Sequence, residues 1–396
     1  MKKVCVVTST RAEYGVLKNT MQEIEKAEQL SLCLIVTGMH LLPAFGNTIS
    51  EIEKDGFAIA ERVPVEWNTD TPASMSRVMG EMMIKFADVF ERQHPDMLLA
   101  VGDRFELLAI CCCALNMQIP IAHISGGEVT EGALDDCFRH CITKMSTLHF
   151  PGCERYRKRI IQLGEQPDTV FNYGDVGVEN ILKTDMLERK ELEADLGISL
   201  ERYICVTFHP VTTQFREIEQ QISALLRALS HFPEIQIIVT KANGDAGGEY
   251  INRMWEDYER QHENCHLFSS LGIRRYLSLL REALAVVGNS SSGIIEAPTL
   301  KIPTVNIGDR QKGREQASSI VNCQPVEDDI VSAMHWAFSE EGQQTAKHTE
   351  NPYASGDTSK KIVEEIIRYF GQEHAGKPKK FYDITHEAIV NYYDII

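Results

Sequence analysis

Short apolar runs alternate with longer amphipathic segments along most of this 396-residue chain. The runs are rich in Val, Ile and Leu, as in KVCVVTS at 3–9 and DMLLAVGD at 96–103, and the amphipathic stretches include 72–93, 105–117 and 273–283. Such alternation is typical of βα units with parallel strands, and continuous apolar composition suits strands covered by helices on both faces. The sequence therefore predicts an α/β fold built on doubly wound parallel sheets.

The length and the spacing of the apolar runs predict two Rossmann-like domains. A chain of this size exceeds one ordinary core, and a second set of runs begins beyond a junction near 174–190. We place the first domain at 1–175 and the second at 176–371, with the tail 372–396 packing back onto the first. Ligands of open parallel sheets bind at the carboxyl ends of the strands, so we expect site residues just after strands, facing a cleft between the domains.

Charge and cysteine content narrow the possible partners. The formal net charge is −17, which argues against a nucleic-acid or anionic-membrane partner but permits an anionic small molecule in a basic cleft. The opening MKKVCVVTS is typical of a first strand rather than a signal peptide, and no run is long enough to span a membrane. The eleven cysteines therefore favour buried thiols in a reduced cytoplasm over disulfides. Cys137, His140 and Cys141 share a helical face, but we expect no metal and no cofactor.

Three candidate residues follow strands of the first domain. Arg11 follows the first strand, and Asp103 and Arg104 follow another. A guanidinium at such a position can bind a phosphate. The alternatives are a surface arginine for Arg11 and a structural ion pair or helix cap for Asp103 and Arg104.

The stretch 122–140 concentrates ionisable groups after the next strand. Its candidates for acid/base chemistry are Glu128, Glu131 and Asp135, since crowded carboxyls separate in pKa and can supply one acid and one base. Arg139 lies four residues after Asp135 and is expected to brace it, and His140 is a further candidate for substrate contact. The alternative for Asp135 is a helix cap.

The second domain carries hydroxyls and cations after its strands. His209 follows the first of these strands, as a candidate proton donor or phosphate ligand or as a structural histidine. In VVGNSSSGIIEAP a strand gives way to serines and then to a helix, an arrangement that suits a phosphate. A serine cap is the alternative there. The candidates for holding a nucleoside diphosphate in this domain are Asn243, Ser290, Ser291, Ser292, Glu296, Arg310 and Arg314.

The ordered motifs resemble those of the hydrolysing UDP-N-acetylglucosamine 2-epimerases that begin bacterial sialic-acid synthesis. The motifs are TSTRAEYG, VTGMH, GDRFE, GGEVTEGALDDCFRHCITKMSTLHF, TFHPVTT, GNSSSGIIEAP and VNIGDRQKGR. The resemblance implies the two-Rossmann glycosyltransferase-B fold and a homodimer or homotetramer. It also implies loss of UDP from a UDP-sugar to give a 2-acetamidoglucal, which water then converts to free N-acetylmannosamine.

Family roles carry over onto Asp103, Asp135 and His209, with Arg11, Arg104 and the second-domain residues around the nucleotide. One position departs from the pattern, because Ser125 stands where many relatives have a catalytic glutamate. We expect Glu128 to replace it, with Glu131 as the alternative.

The sequence leaves several alternative functions open. The nearest is a hydrolysing epimerase of UDP-2,4-diacetamido-2,4,6-trideoxyglucose in legionaminic-acid synthesis. Less favoured readings are a non-hydrolysing epimerase, a glycosyltransferase and a non-catalytic UDP-sugar sensor.

Overall fold

The computed structural model describes residues 1–384 except 44–45, 69–70, 131–133, 243–246, 355 and 373–378. The chain divides into two compact units, Met1–Glu128 with Leu134–Glu179 and Ser355–Ile396, and Val129–Ala133 with Asn180–Ala354. The strands are β1 (Lys2–Thr8), β2 (Leu30–Thr37), β3 (Ile59–Val63), β4 (Met97–Val101), β5 (Ile121–Ile124), β6 (Leu148–Phe150), β7 (Tyr203–Thr207), β8 (Gln236–Thr240), β9 (Cys265–Phe268), β10 (Val286–Gly288), β11 (Thr304–Ile307) and β12 (Ile320–Cys323).

The helices within the described residues are α1 (Arg11–Lys26), α2 (Ile49–Lys54), α3 (Pro72–Gln93), α4 (Phe105–Asn116), α5 (Leu134–Met145), α6 (Glu154–Gln162), α7 (Val176–Lys183), α8 (Arg189–Leu196), α9 (Ile218–Leu229), α10 (Gly248–Glu259), α11 (Gly272–Arg281), α12 (Ser292–Ile295), α13 (Glu327–Phe338), α14 (Glu340–His348) and α15 (Thr358–Phe370). The helices predicted over 72–93, 105–117 and 273–283 are confirmed as α3, α4 and α11.

Each unit contains one six-stranded parallel sheet. The strand order is β3-β2-β1-β4-β5-β6 in the first unit and β12-β11-β10-β7-β8-β9 in the second. Strands such as β4 and β7 are buried along their whole length, because helices cover both faces of the sheet. The predicted doubly wound α/β architecture is confirmed. Strands β3, β6 and β12 lie at sheet edges and were not predicted.

Local sequence explains where the site-bearing helices begin. Thr10 caps α1: its side chain accepts from the Glu13 amide while the Glu13 carboxylate accepts from the Thr10 amide. Thr71 caps α3 ahead of Pro72, whose fixed φ suits the first helical turn. Helix α1 therefore starts directly after β1, which places Ser9 and Arg11 at the sheet edge.

The structure differs from the predicted boundary of the second domain, which ran to residue 371. Helix α15 belongs to the first unit and packs against α1, with the Ser359 amide donating to Glu179 Oε2 at 2.9 Å. Farther on, the Tyr382 amide donates to the Gly164 carbonyl at 2.9 Å. The rest of the predicted tail, 373–378 and 385–396, lies outside the described residues.

Among the described residues, no helix combines the length and apolar character needed to span a bilayer. The cysteines are free thiols, and most of them are buried.

Candidate active site

The sheet order of the first unit brings the predicted residues to neighbouring strand ends. Strand β1 pairs with β4 and β4 pairs with β5, all in parallel. The residues after these strands therefore meet at one edge, including Ser9, Asp103 and Ser125. Arg11, exposed at the start of α1, lies at the same edge.

Arg139 is the central cation of this edge. Its side chain is only 3% exposed, and its guanidinium forms ion pairs with Asp103 and, at 3.4 Å, with Asp136. The arginine predicted to brace Asp135 thus ties Asp103 to α5. A buried guanidinium needs such partners, because an unpaired charge away from water is costly.

Asp135 has the electrostatic character of an acid/base group. It is half-buried at the first turn of α5. Burial raises the pKa of its carboxyl and the nearby Asp103 adds to the rise, while Arg104 and Arg139 act against it. A carboxyl with a raised pKa can hold or release a proton closer to neutral pH.

His140 lies on the same helix, with its Nε2 at 3.6 Å from Asp136 Oδ2. Burial lowers the pKa of His140. Among the described residues, no group of three or more His, Cys, Asp and Glu side chains is arranged to hold a metal ion.

The glycine turn after β5 is required by packing. A Cβ on Gly126 would lie 2.9 Å from His123 Nδ1, and one on Gly127, where φ is +76°, would lie 2.6 Å from the Tyr156 carbonyl. The His123 ring is fully buried between the Gly102 carbonyl and the Thr143 hydroxyl, and burial lowers its pKa to about 3. His123 is therefore neutral and structural, and it fixes the turn that carries the next carboxylate.

That carboxylate is Glu128, which is 5% exposed. Ser125 begins the turn with φ at +63°, a conformation that few residues other than glycine adopt. The alternative, Glu131, lies outside the described residues. The replacement of the missing glutamate by Glu128 stays a prediction.

Sequence reasoning missed two acidic residues of the first unit, Glu13 and Glu106, which lie beside the predicted Arg104. Arg104 donates from Nε to Glu106 Oε1 at 2.5 Å, and Glu13 Oε1 is 3.9 Å away. Burial works against the charge of Arg104, but these two glutamates outweigh it and raise its pKa. The available signal was the GDRFE motif, which contains Glu106, and TRAEY, which contains Glu13.

In the second unit, Asn289 positions the backbone of His209. Strands β7 and β10 pair in parallel, so both residues follow adjacent strand ends. Asn289 Oδ1 accepts from the His209 amide at 2.7 Å, and Asn289 Nδ2 donates to the His209 carbonyl at 2.9 Å. Gly288 permits this approach, since a Cβ there would lie 2.0 Å from the Thr207 carbonyl. Sequence reasoning missed Asn289, although it sits within GNSSSG.

The serine loop leads into a single helical turn, α12. Ser291 stands at its N-cap position, and the Ser292 amide donates to Ser290 Oγ at 3.3 Å. The Ser292 hydroxyl is buried and accepts from Tyr276 at 2.8 Å, so it is a packing contact of α11. Ser290 and Ser291 are therefore the better candidates for a ligand.

Arg310 joins the serine loop, because its guanidinium donates to the Asn289 carbonyl at 3.1 Å. Arg314 and Glu296 are partly buried in the same unit. The remaining candidate, Asn243, lies outside the described residues. The second unit thus gathers hydroxyls and a guanidinium around Asn289, an arrangement suited to an anionic ligand.

A cavity of about 750 Å³ opens beside β11 and β12. Lys312, Gln316 and Trp336 are among the residues that line it, and none of the predicted site residues does. The candidate site is therefore identified by the functional groups that lie at the strand ends, and not by this cavity.

Comparison with known proteins places the chain in a family. The model of the UDP-N-acetylglucosamine 2-epimerase family matches residues 22–367. The chain is 42% identical to a Campylobacter jejuni GDP/UDP-N,N'-diacetylbacillosamine 2-epimerase (hydrolyzing), over 81% of this chain and 84% of the relative. It is 36% identical to the Escherichia coli polysialic acid biosynthesis protein P7, over 97% and 98%. It is 31% identical to a Neisseria meningitidis UDP-N-acetylglucosamine 2-epimerase, over 97% and 100%.

A solved structure shares the fold. The crystal structure of UDP-GlcNAc 2-epimerase from Neisseria meningitidis bound to UDP-GlcNAc aligns with a TM-score of 0.80 at 18% identity, over 92% of this chain and all of that chain. The two six-stranded parallel sheets and this alignment confirm the two-domain glycosyltransferase-B type of fold. With the family model covering most of the chain and relatives above 30% identity over most of their length, this chain belongs to the UDP-N-acetylglucosamine 2-epimerase family.

Proposed function

We propose that the protein is a hydrolysing 2-epimerase that converts a UDP-activated 2-acetamido sugar and water into the free 2-epimer and UDP. The observation that carries this proposal is the carboxyl cluster of the first unit. Asp135 on α5 has a raised pKa, and the buried Arg139 of the same helix forms an ion pair with Asp103 after β4. Family membership and the hydrolysing relative at 42% identity support the reaction class.

The reaction needs two proton transfers at C2 of the sugar. A carboxylate removes the C2 proton while the C1–O bond breaks and UDP leaves with the electron pair, which gives a 2-acetamidoglucal. Water then adds its oxygen to C1 and loses a proton to a carboxylate, while an acid protonates C2 on the opposite face. Asp135 and Glu128 are our acid/base pair for these steps, and Asp103 holds the arrangement through Arg139.

The leaving diphosphate needs cations and donors. In our proposal Arg11 and Arg104 of the first unit and His209, Ser290, Ser291, Arg310 and Arg314 of the second bind UDP. Charge-assisted hydrogen bonds from such groups stabilise the negative charge that develops on UDP as it leaves. Glu296 and Asn243 are the proposed contacts of the nucleoside.

The relatives support two sugars. The motifs first favoured UDP-N-acetylglucosamine, the named substrate of the Neisseria relative at 31% identity. The relative at 42% and a Legionella pneumophila relative at 32% are named for N,N'-diacetylbacillosamine. These names favour the UDP-linked diacetamido sugar as the better substrate, with UDP-N-acetylglucosamine as the second candidate. The sequence motifs favoured the two substrates in the opposite order.

One experiment tests the reaction and the sugar together. Each UDP-sugar is incubated with the protein in D₂O, and the products are followed by NMR. We expect UDP and a free 2-epimer that carries deuterium at C2, with a higher kcat/KM for the diacetamido sugar. A UDP-linked 2-epimer as the stable end product would contradict hydrolysis. A higher kcat/KM for UDP-N-acetylglucosamine would show that this sugar nucleotide, and not the diacetamido one, is the preferred substrate.

A further inference from the structure

Two glutamates flank one serine at the carboxyl end of β1. Ser9 Oγ lies 2.8 Å from Glu13 Oε2 and 2.8 Å from Glu106 Oε1. A serine hydroxyl carries a single hydrogen, so it cannot make two full donor bonds at once. Both carboxyl groups therefore compete for one donor.

The charges around this serine do not balance when both carboxyls are ionised. Glu106 is 1% exposed and the Glu13 side chain is 12% exposed. The described cation beside them is Arg104, which donates to Glu106 and lies 3.9 Å from Glu13. Glu106 Oε2 is buried without a hydrogen-bond partner. Two buried carboxylates facing one guanidinium leave an uncompensated negative charge, which is costly away from water.

The geometry shows where a proton fits. Glu13 Oε2 already accepts from the Ser9 amide at 2.8 Å and the Thr10 amide at 3.1 Å. A proton on Glu13 is therefore carried by Oε1, the oxygen without these amide bonds. Burial raises the pKa of Glu13 to about 7, and the charge of Glu106 adds to the rise against the effect of Arg104. Among nearby groups, the charge of Asp135 also raises the pKa of Arg104. The buried His40 has a pKa lowered to about 4 and is neutral.

We propose that Ser9, Glu13 and Glu106 form a positioning triad that holds one proton on Glu13, so that the charge of Arg104 stays available to an anionic ligand. The ligand is the diphosphate of the substrate, and in this respect the inference rests on the proposed function. Loss of the proton adds a negative charge beside Arg104 and weakens binding of UDP. Glu13 and Glu106 are thus positioning residues that act through Arg104.

The test is the pH dependence of UDP binding, measured by calorimetry from pH 6 to 8.5. We expect the Kd of the unmodified protein to rise by at least about threefold more than that of Glu13→Gln over this range. Glutamine mimics the protonated acid and keeps the capping box, so the variant is expected to fold. The matched control is Glu25→Gln on the exposed face of α1, which should keep the full pH dependence.

A second measurement reports on the proton itself. The infrared band of a protonated carboxyl should disappear as the pH rises through about 7, and Glu13→Gln should lack this change. A variant that keeps the full pH dependence of the Kd, or a band that is unchanged by the substitution, would overturn the triad.

The two proposals fail in different ways. If the protein shows the expected pH dependence of UDP binding but turns over neither sugar, the triad stands and the proposed function fails. If it turns over a sugar while the Kd for UDP responds to pH equally in Glu13→Gln, the function stands and the triad fails.

Discussion

The side-chain amide of Asn289 holds both backbone polar groups of His209, with the acceptor bond at 2.7 Å and the donor bond at 2.9 Å. Asn289 is fully buried, and its own carbonyl accepts from Arg310 and Gln311. One asparagine therefore joins the ends of β7 and β10 to the loop after β11. Its position explains why the strand-end histidine and the serine loop form one arrangement.

Replacement of Asn289 by Ala should lower both stability and activity. The variant removes both of these hydrogen-bond partners from the partly buried backbone of His209, which costs about 1–3 kcal/mol of unfolding free energy. Chemical denaturation and kcat/KM measure the two effects. The matched control is Asn264→Ala. It removes the hydrogen bond of 2.7 Å that Asn264 Nδ2 donates to the Ile235 carbonyl at the opposite end of the sheet. That variant should lose stability alone, and an equal loss of kcat/KM in it would contradict a positioning role for Asn289.

Replacement of Arg139 by Gln should destabilise the first unit strongly. It leaves Asp103 and Asp136 without their shared cation, and breaking a buried ion pair costs about 3 kcal/mol. Arg92→Gln is the control, because its pair with Glu61 is exposed and should contribute less than about 1 kcal/mol. Urea denaturation of both variants checks this, and similar losses would show that Arg139 holds no special position.

Asp135→Asn should stabilise the fold while it removes turnover. The pKa of Asp135 is raised on folding above its ordinary 3.8, so the folded state holds the proton more tightly than the unfolded chain. Ionised Asp135 therefore opposes folding at neutral pH, and this penalty vanishes below the ordinary pKa. The gain in melting temperature over the unmodified protein should be larger at pH 8 than at pH 4.5. A variant that is less stable at pH 8 would contradict the raised pKa.

Glu128→Gln tests the departure at Ser125. If Glu128 supplies the missing carboxylate, kcat should fall by at least about 100-fold, since the amide cannot transfer the proton. Glu154→Gln, on an exposed position of α6, should leave kcat unchanged. Near-normal turnover of Glu128→Gln would remove this residue from the mechanism and leave Glu131 as the candidate.

Lys379→Gln should release the segment 379–384 from the first unit. The ammonium of Lys379 donates to both Glu165 oxygens at 2.9 and 2.8 Å, and its loss should cost about 2 kcal/mol. Burial alone would raise the pKa of Glu165, but hydrogen bonds from His149, Lys144 and Lys379 lower it to about 2. The stabilisation should therefore be complete above the ordinary pKa of 4.5 and disappear as the pH falls through about 2.

Limited proteolysis and denaturation at pH 7 and pH 5 measure this effect. The difference from the unmodified protein should be the same at both values, because Glu165 is ionised at each. Lys380→Gln is the matched control, since the Lys380 side chain is exposed and only its carbonyl accepts a bond, from Gln166. An equal effect of both substitutions would contradict a specific role for Lys379.

The alternation of apolar and amphipathic segments by itself determined the α/β architecture, the two sheets and most strand positions. It also placed the ionisable residues after strands, because a buried parallel strand must be apolar along its length and polar groups are left for its end. Three edge strands were missed: β3 and β12 are only partly buried, and β6, although buried, is three residues long. The assignment of 355–371 to the second domain failed because the pattern of α15 does not say which sheet it covers.

Only the tertiary structure decided which charged groups meet. Arg139 pairs with Asp103, which is 36 residues away, as well as with its helical neighbour Asp136. Glu13 and Glu106 meet at Ser9, which lies 97 residues before Glu106, because β1 and β4 are neighbours in the sheet. Local periodicity fixes which face of a helix or strand is apolar, but strand order fixes which ends are adjacent, and that order follows from the way the crossover helices pack over the whole sheet.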